Sequence, residues 1–175
     1  MKTWLLFLFF LMAASSALAE EIYQGIYQVT PHFKGHSKEY AEIKPFYEDT
    51  LTQVRELDKA FPRTDPPGDR QILGIDTFDL NDDGTKEIFV FVEDRSICGA
   101  SNCPLDIYQR NAEGRLERLF NVYSVGGTLI LASTTHGYHD LAFYKWAYAI
   151  WRFDGMHYQL SEHVSADRVI DPWRK

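Results

Sequence analysis

The sequence predicts an α+β fold, with one N-terminal helix packed on a curled antiparallel β-meander of about seven or eight strands. Three observations carry this. A helical apolar period occurs in residues 37–61, the chain beyond Gln71 breaks into short β-prone runs, and turn residues separate most of those runs.

The helix comes first. Phe46 or Tyr47, Leu51, Val54, Leu57 or Asp58, and Phe61 recur at steps of three and four, which places the apolar residues on one face. Pro45 suits a first helical turn, so the helix is expected over about 45–60. Before it, residues 22–30 have room for a short strand ahead of Pro31. After it, "PRTDPPGDR" (62–70) breaks the chain into a loop.

The strands are expected at 71–78, 87–93, 104–110, 115–123, 128–133, 139–145, 147–153 and 157–163. Between them lie "NDDG", "CGASNC", "NAEG", "GG", "HG" and "DG". Asp154-Gly155 has the chemistry of a two-residue hairpin turn, and such short links pair neighbouring strands antiparallel.

The first residues specify a destination. "MK", the apolar "TWLLFLFFLMAA" and "SSALA" form a secretory signal cleaved after Ala19, with Ala17-Leu18-Ala19 as its A-x-A site. The apolar run is shorter than the roughly 20 residues of a spanning helix. The expected mature chain is a single domain, 20–175, in the periplasm of a Gram-negative bacterium or secreted, with no membrane span. Losing Lys2 takes the formal charge from −7 to −8, which argues against nucleic acid and anionic lipid as partners. A basic protein, another envelope component or cations remain.

Cys98 and Cys103 are the only cysteines, and an exported chain with this spacing is expected to join them in a small disulfide loop. A redox pair would show C-x-x-C spacing, and a zinc site would need further ligands.

The stretch "DLNDDGTKE" offers cation chemistry. Asp79, Asn81 and Asp83 are spaced by two, Gly84 allows a sharp bend, and Glu87 lies four beyond Asp83. Alternate oxygens on a tight turn can converge on one hard cation, so Asp79, Asn81, Asp83 and Glu87, with the Thr85 carbonyl, are read as a structural Ca²⁺ turn. Asp82 is expected to point outward. An EF-hand would need its bidentate carboxylate at Val90, which excludes that motif. The alternative is an acidic turn held by its own Asp and Asn side chains without an ion.

"FDLNDDGTKEIFVFVED" resembles the D-L-N-G-D-G-x-x-E-I-x-V signature of FG-GAP and VCBS-type repeats, which implies a calcium-binding loop. Asp82 stands where those repeats carry glycine, and a single copy excludes a propeller. The order of "CGASNC", "TTHGYHDL" and "WRFDGMHY" after that loop also resembles a loose group of small exported bacterial proteins of unclear function. That resemblance spans about residues 72–160 and implies fold and export.

His136, His139 and Asp140 in "THGYHDL" are the candidates for general base chemistry in a small hydrolase. No nucleophile stands in a recognisable motif such as G-x-S-x-G. On an extended segment the two histidines face opposite sides, so the competing reading is a turn that starts the strand at Leu141. His32 and His36 could join as zinc ligands only where the fold brings them close. Tyr144, Trp146 and Tyr148 are read as a partner-facing patch. The reading that follows is a non-enzymatic periplasmic binding module, inhibitor- or immunity-like, with the hydrolase as the alternative.

Overall fold

The apolar run after the acidic loop has no polar face to offer to water, and this sets the layers. The computed structural model describes residues 21–61, 72–94, 96–100, 102–124 and 127–174. Strand β1 is Tyr23–Val29, helix α1 Ser37–Ile43 and helix α2 Glu48–Ala60, with a 3₁₀ turn at Lys44–Tyr47 between the helices. Strands β2 Leu73–Phe78, β3 Glu87–Val92, β4 Cys103–Arg110 and β5 Leu116–Ser124 form one sheet in that order. Strands β6 Thr128–Thr135, β7 Tyr138–Tyr144, β8 Tyr148–Phe153, β9 Tyr158–Val164 and β10 Val169–Ile170 join β1 in the other, in the order β10-β1-β6-β7-β8-β9.

The α+β class holds, and the eight expected strands form with ends shifted by one or two residues. They make two sheets, however, rather than one curled meander. The antiparallel meander persists within β2–β5 and within β6–β9. Strand β1 pairs antiparallel with β6 and parallel with β10, both distant in sequence. No local turn signal encodes such pairings.

Every residue of β3 is buried. Ile88, Val90 and Val92 face the helices, joining Ile43, Tyr47, Leu51 and Val54. Phe89 and Phe91 face the six-stranded sheet, joining Ile130, Leu141, Phe143 and Phe153. Alternation of side chains across a strand puts one set in each layer. A third apolar cluster lines the other face of the six-stranded sheet: Tyr23, Leu129, Leu131, Ala142, Tyr148, Ile150, Val164 and Val169. That sheet curls enough for the hydroxyl of Tyr23, on β1, to donate to Glu162 Oε1, on the edge strand β9, at 2.7 Å.

The helical segment begins at Ser37, not near Pro45 as expected. Proline has no amide hydrogen to donate, so the chain tightens to a 3₁₀ turn there and resumes as α2. The apolar face runs through the break, since Ile43, Tyr47, Leu51 and Val54 are all buried. Burying each such side chain contributes about 1.5–3 kcal/mol. The Asp154-Gly155 turn also differs from expectation: a four-residue loop, Asp154–His157, separates the paired residues Phe153 and Tyr158. Asp154 Oδ1 accepts the amides of Met156 and His157, both at 2.8 Å, which favours the longer loop.

Buried carboxylates fasten the layers. Asp106 on β4 accepts a short hydrogen bond from the Tyr47 hydroxyl, and its Oδ1 accepts Asn121 Nδ2 at 2.7 Å. Asp76 on β2 accepts the Tyr27 hydroxyl at 2.9 Å and the Thr30 amide at 2.8 Å, joining the two sheets. Burial and these carboxylates push the Tyr27 hydroxyl up to about 12 and raise Tyr47 further. Both phenols therefore stay protonated donors at neutral pH. Replacing Tyr47 with Phe should cost about 1–3 kcal/mol, because it strips a donor from a buried carboxylate. Urea unfolding with an unchanged slope would measure it; a loss under about 0.5 kcal/mol would show that the bond contributes little.

Candidate functional site

The two motifs singled out by the sequence meet in space. The acidic loop leaves β2 and enters β3, with Asp82 at φ +57° and Gly84 at φ +86° making its bend. Leu80 is fully buried and anchors the loop in the inter-sheet core. The Leu80 amide donates to Glu87 Oε2 at 2.7 Å, and the His139 amide donates to the Leu80 carbonyl at 2.7 Å. Asn81 Nδ2 lies 3.2 Å from the Tyr138 hydroxyl and 3.0 Å from Asp83 Oδ2. The start of "YHDL" therefore forms a wall of the acidic loop.

Within the loop, side-chain oxygens rest on backbone amides. Asp79 Oδ2 accepts Gly84 N at 2.8 Å, Asp79 Oδ1 accepts Asp83 N at 3.2 Å, and Asp83 Oδ1 accepts Thr85 N at 2.6 Å. The bond from Thr85, aided by Asn81, holds the Asp83 carboxyl below its ordinary range. Asp82 projects outward, with Oδ2 at 3.6 Å from His139 Nε2. Among the described residues, no three His, Cys, Asp or Glu side chains are closed around a common point as a metal requires. The donors are nonetheless all hard oxygens. Glu87 is buried, and the charges of Asp83 and Asp79 press on it.

That crowding has a sign. Burial first, then the two aspartates, push Glu87 up to about 7 from 4.5. Between those values the folded chain holds a proton that the unfolded chain has released, so stability falls as pH rises from 4.5 to 7. The loss is at most about 3 kcal/mol, and Glu87→Gln should flatten it. Metal-free thermal melts from pH 4.5 to 7.5 would read the difference. Parallel pH profiles of the two proteins would remove Glu87 as its source.

His136, His139 and Asp140 do not converge. His136 is exposed at φ +49° and, with Gly137 at φ +80°, forms the two-residue hairpin between β6 and β7. His139 is buried against Phe78, its Nδ1 at 2.7 Å from the Leu131 carbonyl. Asp140 is the next residue along β7 and so faces the other side of the sheet. There its Oδ2 accepts the Ser133 hydroxyl at 2.7 Å and lies 3.8 Å from Arg152 Nε. Arg152 also donates to Tyr23 at 2.7 Å and lies near Glu162 and Glu21. Sequence reading missed this network, because its members come from five strands whose neighbours depend on register.

The aromatic patch is also rearranged. Trp146 is 86% exposed, but Tyr148, expected at the surface, is fully buried, with its hydroxyl donating to Asp171 Oδ2 at 2.7 Å. Tyr144 is half-buried, accepts Arg174 Nη2 at 3.0 Å and lies under that guanidinium. The C-terminal residues thus claim two of the three rings. Cys98 and Cys103 are joined in a disulfide at the turn leading into β4. Closing so small a loop contributes on the order of 2 kcal/mol.

A groove of about 390 Å³ opens between β4–β5 and the β8–β9 loop, lined by Gln109, Arg118, Tyr138, Phe153, Met156 and His157 among others. The Tyr138 and Phe153 rings meet at a tilt of 40° with centroids 4.2 Å apart, and the Tyr138 hydroxyl donates to Gln109 Oε1 at 2.8 Å. Tyr138 therefore touches both the groove and the acidic loop. The chain finds no match among protein-family models, curated proteins or solved structures. No helix among the described residues is long and apolar enough to cross a membrane, and residues 1–19, the expected signal, lie outside the described part.

Proposed function

We propose that the chain is an exported, non-enzymatic binding module, inhibitor- or immunity-like, that engages a protein or another envelope component through the groove beside Tyr138. The observation that carries this reading is the groove itself. Two tilted aromatic rings, a guanidinium, a carboxylate, an amide and an imidazole surround it, and Met156 stands 73% exposed at its rim. Such a mixture suits a partly wet interface. His136 sits in the β6–β7 turn while His139 and Asp140 face opposite sides of β7, and this failure of the three to converge supports binding over hydrolysis.

The periplasm is the proposed compartment, because a cleavable signal and a disulfide suit an oxidising space. The acidic loop is proposed as the brace of the groove. Asp79, Asn81, Asp83 and Glu87, with the Thr85 carbonyl, would hold a calcium ion. The ion would neutralise the charge crowded on Glu87. Because Asn81 reaches Tyr138, ordering the loop would also order one wall of the groove.

Two measurements test the reading. Calcium should raise the melting temperature of the 20–175 chain, and Asp83→Asn should remove that gain; an equal gain in both proteins would place calcium elsewhere. A pull-down from the host envelope fraction, with calcium and with a chelator, should retain a partner that Met156→Asp loses. No partner in either arm, or one indifferent to Met156, would overturn the groove as the binding surface.

A further inference from the structure

We infer that the free edge of β5 is a docking site for an extended segment of a basic protein partner, which adds to the four-stranded sheet as a further strand. The inference rests on the groove being the binding surface and adds what the partner presents there. β5 ends the order β2-β3-β4-β5, so its side away from β4 has no neighbouring strand. Among the described residues, no backbone hydrogen bond reaches β5 from a third segment. Alternate residues of an edge strand turn their amides and carbonyls outward, unpaired. An extended polypeptide supplies a matching row of donors and acceptors.

The edges of the two sheets differ in how they are protected. His32 exchanges both backbone hydrogen bonds with Ile75, at 3.0 and 2.9 Å, and so covers part of β2. Strand β10 is only two residues long. Strand β9, of seven residues, carries Glu162, whose carboxylate lies 3.4 Å from Arg152 and 3.6 Å from Arg168. β5 has nine residues and is the longest strand among the described residues. Its first half carries the usual defences of an edge. These are the charges of Glu117 and Arg118, and a register shift that leaves Leu119 unpaired between Arg118 and Phe120. Beyond that shift, residues 120–124 hold no charged side chain, and Tyr123 is 56% exposed. That run is open to a further strand.

The groove supplies the specificity. Glu117, Arg118 and Leu119 of β5 form one of its walls, with Tyr138, Phe153 and Met156 also lining it. A strand laid along β5 therefore passes the groove, and alternate side chains of that strand turn toward it. An apolar side chain suits the space beside Phe153 and Met156, because the opposite charges of Glu117 and Arg118 offset each other at the wall. The formal charge of the chain is −7, and −8 without Lys2. A second copy is therefore repelled, whereas a basic chain is attracted.

The probe is a pool of linear synthetic peptides with lysine ends and alternating β-branched residues, randomised on one face and captured on the immobilised 20–175 chain. Captured peptides should share an apolar residue on that face. Methylating one alternate set of their backbone nitrogens should weaken binding about tenfold or more, and methylating the other set should not, since only one set faces β5. On the protein, one of Val122→Pro and Tyr123→Pro removes an outward amide and keeps the β4–β5 ladder. The variant that keeps the native urea midpoint should lose the peptides; if neither keeps it, the methylated peptides decide alone. Equal loss from both methylated sets, or full binding to the folded proline variant, would overturn strand addition. Binding lost in Met156→Asp but kept in that variant would retain the groove and overturn the strand. No captured peptide would also overturn strand addition, while the envelope pull-down would still decide the groove. A dimer of the chain alone that the folded proline variant breaks would assign the edge to a second copy and overturn the basic partner.

Discussion

Strand β3 is buried along its whole length and on both faces, and the order of the layers follows from that. Its odd and even side chains must each find an apolar partner, so the helices cover one side and a second sheet the other. Phe120 on β5 shows how the second contact is filled: its ring meets those of Phe143, Trp151 and Tyr158 at 5.9, 4.9 and 5.5 Å. Rings of this size favour tilted and edge-on contacts over a flat face-to-face sandwich, and these fill the space between the sheets.

Apolar packing of that kind tolerates sliding, and the buried carboxylates remove the freedom. Asp76 joins β1 to β2, Asp106 joins the helical segment to β4 and β5, and Asp140 holds Ser133 and Arg152 inside the curl. Each bond has one useful geometry, and a partner lost from a buried carboxylate leaves a costly charge. Specific register is the benefit of this arrangement. Removing such a charge by packing alone could be just as stable.

The acidic loop stands where these themes meet. It is tied to the core by Leu80 and Glu87 and to β7 by the His139 amide, and it touches the groove through Asn81 and Tyr138. The two motifs with the most chemistry in the sequence therefore form one structural unit. The histidine that looked catalytic, His139, lends that unit its backbone and packs its ring against Phe78.

By itself the sequence determined what depends on near neighbours. The strand and helix periods, the disulfide spacing and the bend at Asp82–Gly84 all arise within a few residues, so local sterics and alternation suffice to read them. The tertiary structure decided what depends on register and distance. It alone placed β1 between β6 and β10, divided the strands into two sheets, and buried Tyr148 under the chain end through Asp171. Such pairings cost loop-closure entropy that many alternative partners could equally repay. Only the summed burial of the assembled layers selects among them.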